Sequence, residues 1–280
     1  MPGTAAQPFA GPPVDTIPLE APPLASVLVQ ARFSPVLEVS EEHLAGRVQK
    51  ALRDAYPFLS AETELAITFS QGADGPPTPL PTRLWRFVSD DHAWRVTLAS
   101  GFTSLETQAY AGHKDFFGRL LSVLTTVEEI VAPPAVERIG VRYTQRLTDP
   151  NDLARLPEFV RTEVLGACAV RDGDDSFSLC LTQAQTQFDD VTLSARWGLL
   201  APNAGIDAVI APLEQPNWLM DIDVYDERHE PFDPAVLADR ALAHSRRQYQ
   251  FFRWAVEPAF LMRFGADPAL VEMLTKAGTR

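Results

Sequence analysis

Apolar and polar positions alternate first over Leu24–Phe33, where Val27, Val29, Ala31 and Phe33 share one face and Ser26, Leu28, Gln30 and Arg32 the other; this predicts a strand. The period then changes. Leu44, Val48, Ala51, Leu52 and Ala55 recur at helical spacing behind Ser40, with Glu41 and Glu42 where a helix dipole favours acids. Ser40 is read as the cap, and Pro57 stops the helix. A short strand is expected at Leu65–Phe69, and Gln71–Pro81 is a loop by composition. Three runs follow, Leu84–Val88, Trp94–Leu98 and Phe102–Ala109, separated by short polar turns. Trp85 and Phe87 share a face, as do Trp94, Val96 and Leu98, which suits an antiparallel meander with one buried side. From Gly112 to Val131 the apolar residues Phe116, Phe117, Leu120, Leu121, Leu124, Val127 and Val131 mark a long helix with a wide buried face. Pro133 and Pro134 end it, and Ala135–Leu147 reads as a strand.

Past Asp149-Pro150-Asn151 the pattern starts again. Leu153, Leu156, Phe159, Val160 and Val164 predict a helix over Asp152–Ala167. An acidic turn, Arg171–Ser176, opens a second meander: Phe177–Phe188, Val191–Leu200 and Trp218–Tyr225, with a short strand possible in spacing terms at Asp207–Ile210. The last long helix lies within Pro231–Gly265. Its stripe is Leu237, Ala241, His244, Gln248, Phe251, Phe252 and Ala255, and Pro258 breaks it. A short helix is expected at Pro268–Lys276.

The halves rhyme. Each has a helix, an antiparallel meander and a long helix with a double phenylalanine, Phe116-Phe117 and Phe251-Phe252. The expected fold is α+β: two related halves, 24–148 and 149–280, each a β-meander on a long helix, within one compact unit. Residues 1–23, rich in proline, are expected to be a mostly disordered lead-in, without the basic start and apolar run of a secretory signal.

The chain has 280 residues, 46% of them hydrophobic, and a net charge of −13. That balance disfavours nucleic acid and anionic membranes as partners. No run approaches the length needed to span a bilayer, so a cytoplasmic location is expected. Cys168 and Cys180 have no histidine nearby to complete a metal set and read as reduced thiols.

Several short stretches together resemble one protein family: Pro22-Pro23-Leu24, Gln30-Ala31-Arg32-Phe33, Tyr110 with Phe116-Phe117, Arg138-Ile139-Gly140-Val141-Arg142-Tyr143, and Asp221-Ile222-Asp223-Val224 before a helix containing His244. That family is bacterial, sporadically distributed and of about this length, with no assigned activity, cofactor or catalytic residue. Its members usually carry asparagine after the tyrosine, where this chain has Thr144 and Gln145. The resemblance spans Pro22 to Gly265 and implies a bacterial, soluble module made by the whole chain.

The sharpest chemical feature is an arginine ladder. Strand alternation puts Arg138, Gly140, Arg142, Thr144 and Arg146 on one face, opposite Ile139, Val141 and Tyr143. Guanidinium groups spaced about 7 Å along a strand repel one another unless anions lie between them. Those anions are either a bound carboxylate or phosphate, or internal partners such as Asp221 and Asp223, which share a strand face as Gln183, Gln185 and Gln187 do. Asp221 and Asp223 lack a third ligand at metal spacing, so neither a metal nor a cofactor is assigned. His244 or Asp223 is the candidate acid/base of an enzyme, and His43, His92, His113 and His229 read as solvated. No hydrolase, zinc-protease or nucleotide-loop motif occurs. Arg240, Arg246, Arg247 and Arg253, interleaved with Tyr249, Phe251, Phe252 and Trp254, read as a solvated arginine face, with nucleic acid as the other meaning. The leading expectation is a non-enzymatic module that binds an anionic small molecule or a protein partner segment through Arg138, Arg142, Arg146, Asp221 and Asp223. An enzyme with a sheet–helix cavity, and a scaffold of a multiprotein system, including a defence system, are the alternatives.

Overall fold

The computed structural model describes residues 14–66, 80–169, 179–206 and 210–277. The start of the lead-in, most of the Gln71–Pro81 loop, the acidic turn at Arg171–Ser176 and most of the Asp207–Ile210 stretch fall outside them. In chain order the elements are β1 (Leu24–Phe33), α1 (Glu42–Leu52), β2 (Phe58–Ala66), β3 (Leu80–Val88), β4 (Trp94–Ala99), β5 (Phe102–Thr107) and α2 (His113–Val131). Then come β6 (Ala135–Leu147), α3 (Pro150–Ala154), α4 (Leu156–Phe159), α5 (Thr162–Leu165), β7 (Leu179–Phe188), β8 (Val191–Leu200) and β9 (Asn217–Asp226). The chain ends through β10 (Glu230–Pro231), α6 (Pro234–Ala255), α7 (Pro258–Arg263) and α8 (Pro268–Ala277). The class is α+β, with a large antiparallel sheet and several helices. Two compact units contain these elements, one of Val27–Val141 with Asp226–Leu242, the other of Met1–Ser26, Arg142–Tyr225 and Ala243–Arg280.

In the first unit the strand order is β2-β3-β4-β5-β1-β6, and β10 adds to β6 through Glu230 opposite Val136. Phe33, Phe87, Leu98, Leu105, Phe116, Leu124 and Ile139 are fully buried. Trp94 and Phe116 lie with ring centres 5.8 Å apart, which fixes α2 against the sheet. Trp85 buries its ring and still satisfies its donor, giving Nε1–H to the Val39 carbonyl at 2.6 Å. Ala132 ends α2 in the left-handed region, its N–H on the Val127 carbonyl, just before Pro133.

Three local expectations are corrected. Ser40 closes a 3-10 turn, and Glu41 occupies the cap position of α1 without a side-chain capping bond. Ala51, Ala55 and Leu121 are exposed, because Leu44, Ala45, Val48 and Leu52 suffice for the buried stripe of α1, and Val123 and Thr126 complete that of α2. The strand expected at Leu65–Phe69 begins seven residues earlier, at Phe58. Phe58, Ser60, Ala61, Glu62 and Thr63 are exposed at the end of the strand order, where no buried face imposes alternation.

In the second unit the order is β6-β9-β8-β7. Trp218, Met220, Ile222 and Val224 of β9 and Leu193, Ala195 and Trp197 of β8 enter one core with Phe159, Phe251, Phe252 and Phe260. Trp197 gives its Nε1–H to the Val164 carbonyl at 2.7 Å. The helix expected over Asp152–Ala167 is instead three short helices and a 3-10 turn. Val160 is extended at φ −126°, ψ 152°, and bridges Val256. Gly166 then takes a positive φ. The side chains of Leu156, Phe159, Val160 and Val164 are buried as their spacing implied, on a different backbone. Gly198 is required where it stands: at φ +153° a Cβ would lie 1.8 Å from the Cys180 carbonyl oxygen across the β7–β8 pair. Cys168 and Cys180 are free thiols with sulfurs 2.8 Å apart.

Candidate anion site on the polar sheet face

Alternation in the second unit leaves one face of β6, β9 and β8 for polar groups. On β9 the residues between the core positions are Asp221 and Asp223; on β8 they are Ser194 and Arg196; on β6 they are Arg142, Thr144 and Arg146. Since β6 and β9 are neighbours, as are β9 and β8, Asp221 lies between two arginine-bearing strands. Its Oδ1 accepts from Arg142 Nε at 2.7 Å and Thr144 Oγ1 at 3.0 Å. Its Oδ2 accepts from Arg142 Nη2 at 2.9 Å and Arg196 Nη2 at 2.8 Å. The carboxylate is 4% exposed and the two guanidinium side chains 15% and 17%. A buried carboxylate with this many donors is held in one orientation, and it holds both arginines in turn.

Arg146 differs. Its Nη2 donates to the Ala211 carbonyl at 2.7 Å, and among the described residues no carboxylate lies within ion-pair distance of it. Burial pushes its guanidinium below the ordinary arginine range, and the Asp221 charge opposes that shift. Arg142 and Arg196 share the carboxylate of Asp221, while Arg146 meets a backbone carbonyl, on a chain of net charge −13. Leu200, Ile210 and Leu219 form a small apolar cluster, with Ala204 and Ile206 packed against it. Gln183, opposite Arg196 in the β7–β8 register, and Gln185, opposite Ser194, continue the polar face toward β7 and are exposed.

Of the residues singled out in the sequence, Arg142 and Asp221 are brought into direct contact. Asp223 is half-buried two positions along β9, and Arg138 belongs to the first unit. His244 is buried in α6. The solvated arginine face expected on that helix is corrected at Arg240, which is buried and paired with Asp226 and Glu230. Arg196 was missed. Its signal was present, since Ser194 and Arg196 alternate with Leu193, Ala195 and Trp197; what alternation alone lacks is the strand order that sets β8 beside β9. Among the described residues no group of three or more His, Cys, Asp or Glu is placed to hold a metal ion, and no helix is long and apolar enough to cross a membrane.

The chain matches no protein-family model, and no curated protein matches it. The functional reading therefore rests on this geometry.

Proposed function

We propose that the protein is a non-enzymatic binding module that holds a carboxylate-bearing small molecule or an acidic partner segment on the polar face of β6, β9 and β8, with Arg146 as the anchoring cation. The observation that carries this reading is the state of Arg146: a half-buried guanidinium whose single acceptor among the described residues is a backbone carbonyl. Arg142 and Arg196 frame the site. Asp221 neutralises part of their charge and fixes their planes, so their role is to shape the face and orient the ligand. Gln183 and Gln185, exposed on β7 opposite Arg196 and Ser194, offer uncharged hydrogen-bonding groups further along the same face.

The same proposal keeps an internal duplication, with β6 opening the second repeat in place of closing the first. In the first, β1 leads through α1 and a meander to β5, which returns beside β1, and α2 follows. In the second, β6 leads through short helices and a meander to β9, which returns beside β6, and α6 follows. The repeated connectivity supports duplication, and the arginine–aspartate cluster belongs to one unit.

Thermal unfolding with succinate, citrate and a short acidic peptide tests the reading, comparing wild type with Arg146→Ala. Stabilisation by at least one of these that is lost in Arg146→Ala is expected. Equal stabilisation of both proteins, or of neither, would rule out this face as the site.

A further inference from the structure

The last turn of α6 carries a second arginine cluster, distinct from the sheet face. Val160 and Val256 form an isolated antiparallel bridge, Arg161 N donates to the Ala255 carbonyl at 3.0 Å, and Glu257 N donates to the Phe159 carbonyl at 2.8 Å. These bonds pin Arg161 beside the end of α6. Arg253 lies two residues before Ala255, and Tyr249 one turn before Arg253. The Tyr249 hydroxyl accepts from Ile17 N at 2.7 Å, so its own O–H remains to donate elsewhere.

Among the described residues the buried Arg161 Nε has no hydrogen-bond partner. Among the described residues neither Arg161 nor Arg253 has a carboxylate within ion-pair distance. Burial pushes the Arg253 guanidinium down first; the Tyr249 side chain opposes that shift, and the charge of Arg161 adds to it. The carboxylate of Asp15 acts on Tyr249, raising it further after burial has done so. Two half-buried cations near enough for their charges to oppose each other are costly unless an anion joins them.

We propose that Arg161, Arg253 and the Tyr249 hydroxyl form a binding site for a phosphate group, either free phosphate or a phosphomonoester. Two guanidinium groups outweigh the Asp15 carboxylate near Tyr249 and leave the site positive, and guanidinium forks with a hydroxyl donor suit the oxygens of a phosphate. It is independent of Arg146.

The test is thermal unfolding of the full chain at constant ionic strength, with inorganic phosphate or phenyl phosphate replacing chloride. In wild type a rise of about 2–4 °C is expected at saturation; a larger rise with inorganic phosphate assigns the free ion, a larger one with phenyl phosphate the monoester. Arg253→Met and Arg161→Met, which remove charge and keep much of the volume, should lose the rise while unfolding in chloride at or above the wild-type temperature. Arg146→Ala should keep it. No rise in wild type with either probe overturns the proposal, as does an undiminished rise in both methionine variants. Failure of both variants to fold in chloride also overturns it, because their charges would then be satisfied within the protein.

Discussion

Arg142 and Asp221 face each other across neighbouring strands in a two-pronged ion pair, Nε to Oδ1 at 2.7 Å and Nη2 to Oδ2 at 2.9 Å. The pair divides the arginine ladder by role. Arg142 is committed to the protein, together with Arg196 from the other side. Arg146, two turns of the pleat along β6, is left to meet something else.

Asp221→Asn should be strongly destabilising. The substitution keeps the shape but leaves two mostly buried guanidinium groups without their shared anion, a loss of about 3–5 kcal/mol. Urea unfolding followed by circular dichroism measures it. A change in midpoint no larger than that of an exposed substitution would show that the pair is not holding the strands.

Gly198→Ala should be as severe for a different reason. The new Cβ meets backbone, at 1.8 Å from the Cys180 carbonyl oxygen, where no side chain can rotate away, and the residue stands at φ +153°. β7 and β8 must separate locally, and the accumulation of soluble protein should fall sharply against wild type. Gly118→Ala, with open space around its Cβ, should have no such effect and serves as the control.

Stability should fall on the alkaline side. Burial, and then the hydrogen bond with Cys180, push the Cys168 thiol up to about 12 from an ordinary 9.0. Burial also raises the Tyr56 and Tyr249 hydroxyls. For groups raised in the folded state, the folded protein holds the proton more tightly than the unfolded chain. Their contribution is complete below the unfolded values and is lost as pH rises through the folded ones. Unfolding midpoints should therefore decline above about pH 9, and Cys168→Ala should flatten the first part of that decline.

Where one face of a strand had to be buried, the pattern was legible to the residue: β1, β6 and β8 begin and end where alternation placed them. The stripe of α6 holds too, including His244 and Gln248, because a helix on a core needs that spacing. Val160 shows where local reading fails. Its burial was visible, but its extended backbone comes from pairing with Val256, a partner 96 positions away. Arg196 teaches the same about the site. Alternation placed it on the polar face, and only the order of β6, β9 and β8 says that it shares Asp221 with Arg142.

The central claim is that Arg146 anchors a carboxylate ligand. Native mass spectrometry of the protein purified from its own cells, wild type beside Arg146→Ala, tests it most directly. The expected result is a wild-type mass carrying a bound acid or acidic partner that is absent from Arg146→Ala, with the circular dichroism of the two proteins the same. A bound species retained in full by Arg146→Ala, or an Arg146→Ala protein that has unfolded, would contradict the claim and return the whole ladder to a structural role.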